Sequence, residues 1–256
     1  MKKLYNYCNY LLEFIRYGDI ISMYNSLAYV TFRRPNSADR IIRGRTGWFY
    51  CRRNTDDFKH ASFAKDLGTK AFLLKHLNDF DVFLDIGSGI GEWSILLANK
   101  QVKCHAFEPV TSNYHSLLKN IKLNSLHNSI KTYPFGLGDE MREASFVFFP
   151  INTYASRLAS NPQEANCSIE IRNLDSIVEK MNISGSDHVL MRLGTEGMDT
   201  EIIRGAKEFI ASSSNLMLLI RRQHKDAAEV RLTLDELGRF EYGMVDQYNL
   251  YAAKMN

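Results

Sequence analysis

Three glycines at alternate positions, Gly87, Gly89 and Gly91, follow the apolar run DVFLDI and its acidic residue Asp85. A simple turn uses one or two glycines. Three of them, with only Ser88 and Ile90 between, leave backbone bare enough for a ligand to lie against it. About twenty residues further on, a second apolar run, KCHAFEP, ends in Glu108 and Pro109. A carboxylate at that point can accept both hydroxyls of an adenosine ribose, which a single acceptor would serve poorly. Asp85 is placed to fix the turn through backbone amides or to reach a ligand ammonium group.

Two cofactors share this logic. The dinucleotide fingerprint spaces its glycines GxGxxG and seats a pyrophosphate on the helix N-terminus. Here the spacing is GxGxG, and Glu92 opens the helix that follows. A carboxylate beside a pyrophosphate is repulsive, whereas S-adenosylmethionine brings a net positive, zwitterionic group. The pattern therefore favours S-adenosylmethionine over a nicotinamide dinucleotide, with an NAD-dependent oxidoreductase as the weaker alternative.

The elements that must position these residues alternate. DVFLDI leads to the helix EWSILLANK, KCHAFEP to SNYHSLLKNIKLN, and SIKTYPFGLGD closes a third strand. HVLMRL then leads to DTEIIRGAKEFI and NLMLLIRR to KDAAEVRLTLDEL, before the two strands FEYGMV and NLYAAK. Repeated βαβ units predict a doubly wound, mostly parallel α/β sheet, and the last strand pair, with no helix between, must return antiparallel. The segment 143–172 reads as a β-rich insertion or edge hairpin. RIIRGRTGWFYCRR reads as two short strands about a Gly-Arg-Thr-Gly turn, followed by a helix with Phe63, Leu67, Ala71, Phe72, Leu74 and Leu77 as its apolar set. Residues 1–38 form a helical extension, broken at Gly18-Asp19, and 39–256 the main domain. The extension is expected to dock on that domain; dimer contacts or a membrane surface are its other uses.

Composition bounds the rest. A chain of 256 residues with 45% hydrophobic and 24% charged residues can bury one sizeable core. A net charge of +3 gives no concentrated basic face for nucleic acid. Cys8, Cys51, Cys104 and Cys167 form no CxxC pair, so neither a metal site nor a disulfide framework is expected. Without an 18-residue apolar run or a convincing leader, the expectation is a cytoplasmic protein. His60, His115 and His188 have no ligand spacing and read as surface or satisfied core histidines, and Trp48 and Trp93 as packing residues, with Trp93 placed to wall the pocket.

Over residues 45–210 the chain resembles the FkbM family of S-adenosylmethionine-dependent O-methyltransferases. DIGSGIG resembles that family's glycine motif, FEPVTSNYHSLLKNIKLN its second strand and helix, and GLGDE the segment after its third strand. RRNTDDF is similar to an upstream segment, and LMRLGTEGMDTEIIRGA to a late Lys-x-Asp-x-Glu-Gly segment. The resemblance implies methyl transfer to a hydroxyl, commonly on a sugar, glycan or secondary metabolite, with a class I methyltransferase-like fold. It implies cofactor contacts at Asp85, Gly87, Ser88, Gly89, Gly91, Glu108, Pro109, Gly136 and Asp139. It also points to Arg52 and Thr55 as substrate contacts, and to Asp57 and Glu196 as acid–base candidates. For Glu196 a role at the start of a helix over 198–209 is an equal reading.

Two departures from the family pattern stand out. Arg192 replaces its lysine, and Gly194 its aspartate. A carboxylate there could accept a hydroxyl proton or orient the acceptor; glycine can do neither. Arg221 and Arg222 end a strand where an acidic residue is usual. With Arg192, a further catalytic candidate, they could bind an acidic acceptor such as a uronic acid. The rival to an enzyme is a methyltransferase-fold binding or scaffold protein that lost its chemistry with the aspartate.

Overall fold

The computed structural model describes residues 9, 11–32, 34, 35, 37–221 and 227–255. Helix α1 covers residues 11–16 and α2 Ile20–Phe32. Only part of the extension's apolar surface is docked. Phe14 is fully buried, while Ile20, Ile21, Tyr24 and Leu27 are exposed. Leu4, Tyr7 and Cys8, expected in the first helix, lie outside the described residues. Strands β1 (Arg40–Arg43) and β2 (Trp48–Cys51) pair antiparallel about the expected turn. Helices α3 (Asp57–Ala61) and α4 (Leu67–Lys75) follow. Phe63 precedes α4, Ala71 is exposed, and the helix buries Thr69, Lys70 and Leu73 instead. The inward lysine turns the helix: Lys70 donates to Ser62 O at 2.8 Å and lies over the Trp93 ring.

The βαβ region is β3 (Val82–Ile86), α5 (Glu92–Ala98), β4 (Lys103–Phe107), α6 (Thr111–Leu123) and β5 (Ile130–Tyr133). The third predicted strand is cut at Pro134, which has no N–H for a ladder. Its continuation, β6 (Gly136–Leu137), joins a separate four-stranded sheet with β7 (Arg142–Val147), β8 (Arg157–Leu158) and β9 (Cys167–Arg172). The β-rich segment is thus a second sheet. The main sheet resumes with β10 (Val189–Leu193), β11 (Leu216–Arg221), β12 (Phe240–Met244) and β13 (Asn249–Lys254). The predicted helix DTEIIRGAKEFI is two, α6's successors α7 (Asp199–Arg204) and α8 (Lys207–Ser212), split at Gly205-Ala206; α9 spans Ala227–Leu237.

The seven-stranded order is β12-β13-β11-β10-β3-β4-β5. β3, β4, β5, β10 and β11 run parallel, and β13 lies antiparallel between β11 and β12, as the terminal pair predicts. Alternation then sets which side chains share a face. Leu84 and Ile86 of β3 pack with Met191 and Leu193 of β10 in one core, and Phe83 with Leu190 in the other. Asp85 and Arg192 follow the parity of Phe83 and Leu190. They are register partners at the strand ends, beneath α5.

Candidate active site

The strand order reverses between β3 and β10, where ligands of open α/β sheets bind. A cleft opens there, walled by the glycine loop, the end of β4, the 194–196 turn and the second sheet. The three glycines divide their work. A Cβ at Gly87 (φ +74°) would lie 2.8 Å from Gly194 O, and one at Gly91 (φ +89°) 2.5 Å from Leu117 Cδ1. Both are bare so that the chain can pack against itself, and Gly91 does not line the cleft. Gly89 (φ +58°) alone meets nothing within 4 Å and is open to a ligand. Beside it, the buried Ser88 Oγ and Trp93 Nε1 have no hydrogen-bond partner among the described residues, and both residues wall the cleft.

Glu108 is buried, and its direct hydrogen-bond partners are all uncharged. Its Oε2 accepts from Gly89 N–H at 2.8 Å, and its Oε1 from Val110 N–H at 2.9 Å and Asn113 Nδ2 at 3.3 Å. Burial outweighs these bonds and pushes its pKa up to about 7. Behind it runs a relay. Arg52 Nη2 donates to Asn113 Oδ1 at 2.8 Å, and the Arg52 fork grips both oxygens of Asp57 at 2.8 Å. Thr55 closes the local turn by donating to Arg52 O. Arg52, Thr55 and Asp57 are not among the residues that line the cleft, and Arg52 and Asp57 connect to it through Asn113.

The ends of β10 and β11 differ. Arg192 Nη1 donates to Asp85 Oδ1 at 2.8 Å, and Ser94 Oγ to Asp85 Oδ2 at 2.7 Å. Both oxygens of the fully buried Asp85 are thus engaged, one by Arg192 and one by Ser94. Gly194 explains both departures at once. A Cβ there would sit 2.3 Å from Arg192 Nη1, so the guanidinium end, as it is placed here, lies where a side chain at 194 would begin. Glu196 pairs with Arg221, and Met198, not Glu196, precedes α7 at its cap. Pro109, Gly136, Arg192, Glu196 and Arg221 all border the cleft. Asp139 does not: Arg142, which also holds Glu201, claims it at 2.8 Å on the exposed side of the second sheet. Arg222 lies outside the described residues.

One cluster was not legible as a motif. His60, Lys65 and Glu92 also wall the cleft. His60 Nδ1 lies 2.8 Å from Glu92 Oε2, and Lys65 Nζ 3.2 Å from Glu92 Oε1. Burial opposes the Glu92 charge, but His60 and Lys65 hold its carboxyl well below the usual range. Its signal in the sequence is density alone, seven ionisable side chains in DDFKHASFAKDLGTK, just before the glycine strand. His60 is thus a part-buried histidine with both ring nitrogens partnered, as the satisfied reading allows, and it also lines the pocket. Lys65 also offsets the charge of Glu92, so repulsion of a pyrophosphate there is weaker than the sequence implies.

A family described as the Vibrio cholerae RfbT protein matches residues 39–224. The chain belongs to this family. No curated protein matches the chain. Among solved structures, the methyltransferase FkbM from Methylobacillus flagellatus KT is 19% identical with a TM-score of 0.48, over 68% of this chain and 44% of that one. The chain thus spans less than half the length of that protein. Precorrin-6y C5,15-methyltransferase from Geobacter metallireducens GS-15 is 18% identical over 73% and 87%, with a TM-score of 0.44. Magnesium protoporphyrin IX methyltransferase from Synechocystis PCC 6803, solved with bound SAM, is 15% identical over 75% and 83%, with a TM-score of 0.43. The family matched is RfbT and not FkbM, which remains a resemblance of motifs. The fold of this RfbT-family chain is a class I methyltransferase-like doubly wound sheet, as its strand order states. Among the described residues, no helix is long and apolar enough to cross a membrane.

Proposed function

We propose that the chain binds S-adenosylmethionine in the cleft beyond β3 and β10 and methylates a hydroxyl of a saccharide. The observation that carries the reading is Glu108: a buried carboxylate with no cationic hydrogen-bond partner, beside the open Gly89 and the orphaned Ser88 hydroxyl. These residues fit an adenosine, with Glu108 accepting the ribose hydroxyls and Gly89 letting the ligand approach the backbone. The antiparallel β13 inserted between β11 and β12 also departs from the all-parallel order of dinucleotide-binding sheets. Bound S-adenosylmethionine supplies an electrophilic methyl group on sulfonium. The protein's part is to hold the acceptor oxygen at attack distance, which is worth about 7–11 kcal/mol when well oriented.

The saccharide class rests on the FkbM resemblance, and Phe146 and Phe148 on the cleft wall offer aromatic faces for the C–H side of a pyranose. Because Asp85 and Glu196 neutralise Arg192 and Arg221, an uncharged acceptor is favoured over an acidic one. The Arg192 guanidinium in the family's aspartate position supports the second reading, a binding protein without turnover. Thermal unfolding with S-adenosylmethionine, and separately with NAD, tests the cofactor. At 100 times the dissociation constant the midpoint should rise by about 5–10 °C with S-adenosylmethionine only. No shift with a folded protein would sink the reading, and a shift without methylation of any pyranoside would favour the second.

A further inference from the structure

We propose that the outer face of α1, α2 and the β1–β2 hairpin is a docking surface for an anionic lipid bilayer. Helix α2 is built inside out. Its 13 residues, IISMYNSLAYVTF, contain no charged side chain. A surface helix ordinarily turns apolar residues to the core and charged ones to water. Among the described side chains of α2, the buried ones are Ser22 and Ser26, 1% and 5% exposed, with Met23 and Tyr29 partly covered. The Ser26 hydroxyl finds no hydrogen-bond partner among the described residues. Ile20, Tyr24 and Leu27 form one stripe at i, i+4 and i+7, and they are 70%, 66% and 46% exposed. Leu12 and Ile15 of α1 are exposed as well. A helix that gives its hydroxyls to the protein and its aliphatic side outward has the pattern of one whose outer medium is apolar.

The cations around this face select the occupant. Residues 1–51 hold eight Lys and Arg against three Asp and Glu, a surplus of five in a chain of net charge +3. Exposed Arg16 precedes α2 and exposed Arg34 follows it, so a cation stands at each end of the apolar stripe. Arg43 lies over the Tyr17 ring at 5.6 Å and over the half-exposed Trp48 ring at 5.3 Å, which joins the end of α1 to the hairpin. By strand alternation the exposed Ile41 shares the outer side with Arg43. Arg16, Arg34 and Arg43 have no ion pair among the described residues. The three carboxylates are engaged elsewhere. Asp19 pairs with Arg40, Glu13 accepts from Ser62 Oγ and Phe63 N–H, and Asp39 takes the Tyr50 hydroxyl. Interleaved aliphatic, aromatic and guanidinium groups match the headgroup zone of a bilayer, where rings sit at the interface and cations meet lipid phosphate. A second copy fits worse, because a two-fold contact would set the unpaired arginines against their own images. A helix of 13 residues is about 20 Å long, short of a hydrocarbon core of about 30 Å, so α2 lies on the bilayer and does not cross it. Tyr29 Oη donates to Ile151 O at 3.3 Å, in the β7–β8 connection that brings Phe148 and Thr153 to the cleft wall. The docked face therefore reaches the rim of the cleft.

Vesicle binding by the full chain tests this; it needs neither cofactor nor acceptor, so its failure and that of the function proposed above are distinguishable. The chain should cosediment with vesicles of equal parts phosphatidylglycerol and phosphatidylcholine, and not with phosphatidylcholine alone. Salt should weaken the binding. Trp93 is buried, so a blue shift of tryptophan emission on binding reports Trp48, and it should vanish in Trp48→Phe. The triple variant Ile20→Ser, Tyr24→Ser, Leu27→Ser should bind at least about tenfold more weakly. Arg16→Gln combined with Arg43→Gln should weaken binding about 30-fold. These side chains lie on the surface, so each variant should keep the cooperative thermal unfolding of the wild type. No binding to the anionic vesicles, equal binding to both vesicle types, or binding without the Trp48 shift would overturn the proposal. Wild-type affinity in the triple variant would do the same. A stable dimer in solution that the triple variant dissociates would also overturn it, by giving the face to a second copy.

Discussion

The two halves of the cleft treat carboxylates in opposite ways. At the end of β4, Glu108 is held by backbone amides and Asn113, and burial pushes its pKa up to about 7. At the ends of β3, β10 and β11, Asp85 and Glu196 are each tied to an arginine. A carboxylate whose direct hydrogen-bond partners are uncharged retains its capacity for a ligand's hydroxyls, whereas one gripped by a guanidinium is chiefly structural. The contrast separates the residues that receive a ligand from those that hold the sheet ends together.

The contrast breaks most visibly at Arg192. Arg192→Met leaves Asp85 fully buried without its cation, which should cost about 3–5 kcal/mol and lower the midpoint of thermal unfolding by roughly 10 °C. Arg221→Met, whose partner Glu196 is about a quarter exposed, should cost no more than about 1 kcal/mol in the same experiment. Equal losses would show that the two pairs are not different in kind.

A smaller effect follows from Glu108. Ribose hydroxyls donate to its ionised form, so affinity for S-adenosylmethionine should hold above about pH 7 and fall toward tenfold per unit below it. The stability of the ligand-free protein carries the opposite sign. The folded pKa lies above the ordinary 4.5, so this group's contribution is full below 4.5 and is lost as pH rises to about 7. Calorimetric titrations at several pH values check the first, and unfolding curves the second. The smallest effect on affinity belongs to Asn113→Ala, which removes one support of Glu108 while sparing its backbone bonds. Affinity should weaken about three- to tenfold, and Tm should fall by a few degrees because Arg52 Nη2 loses the same partner, a cost of about 1–3 kcal/mol.

The first half of the site was legible because its signals are local. DIGSGIG fixes a strand and turn, and Glu108 follows at the spacing a second βα unit demands. Even so, the sequence could not assign Gly87 and Gly91 to contacts with Gly194 and Leu117, since those partners come from other elements. The second half depends on juxtaposition. Asp85 and Arg192 meet only because β3 and β10 are neighbours in register, although they are 107 residues apart. The same holds for His60, which reaches Glu92 and Thr153 across 32 and 93 residues. Lys70 misled the helix reading for a related reason: a buried ammonium on an otherwise ordinary helix has no periodic signature.

Titration of the folded chain with S-adenosylmethionine, wild type against Glu108→Gln, tests the central claim most directly. Saturable one-site binding is expected in the wild type. Replacing the carboxylate with an amide should weaken it by roughly 10- to 100-fold, the loss of charge-assisted hydrogen bonds worth about 1.5–3 kcal/mol. No binding to the wild type, or binding that Glu108→Gln leaves unchanged, would contradict the account of this cleft.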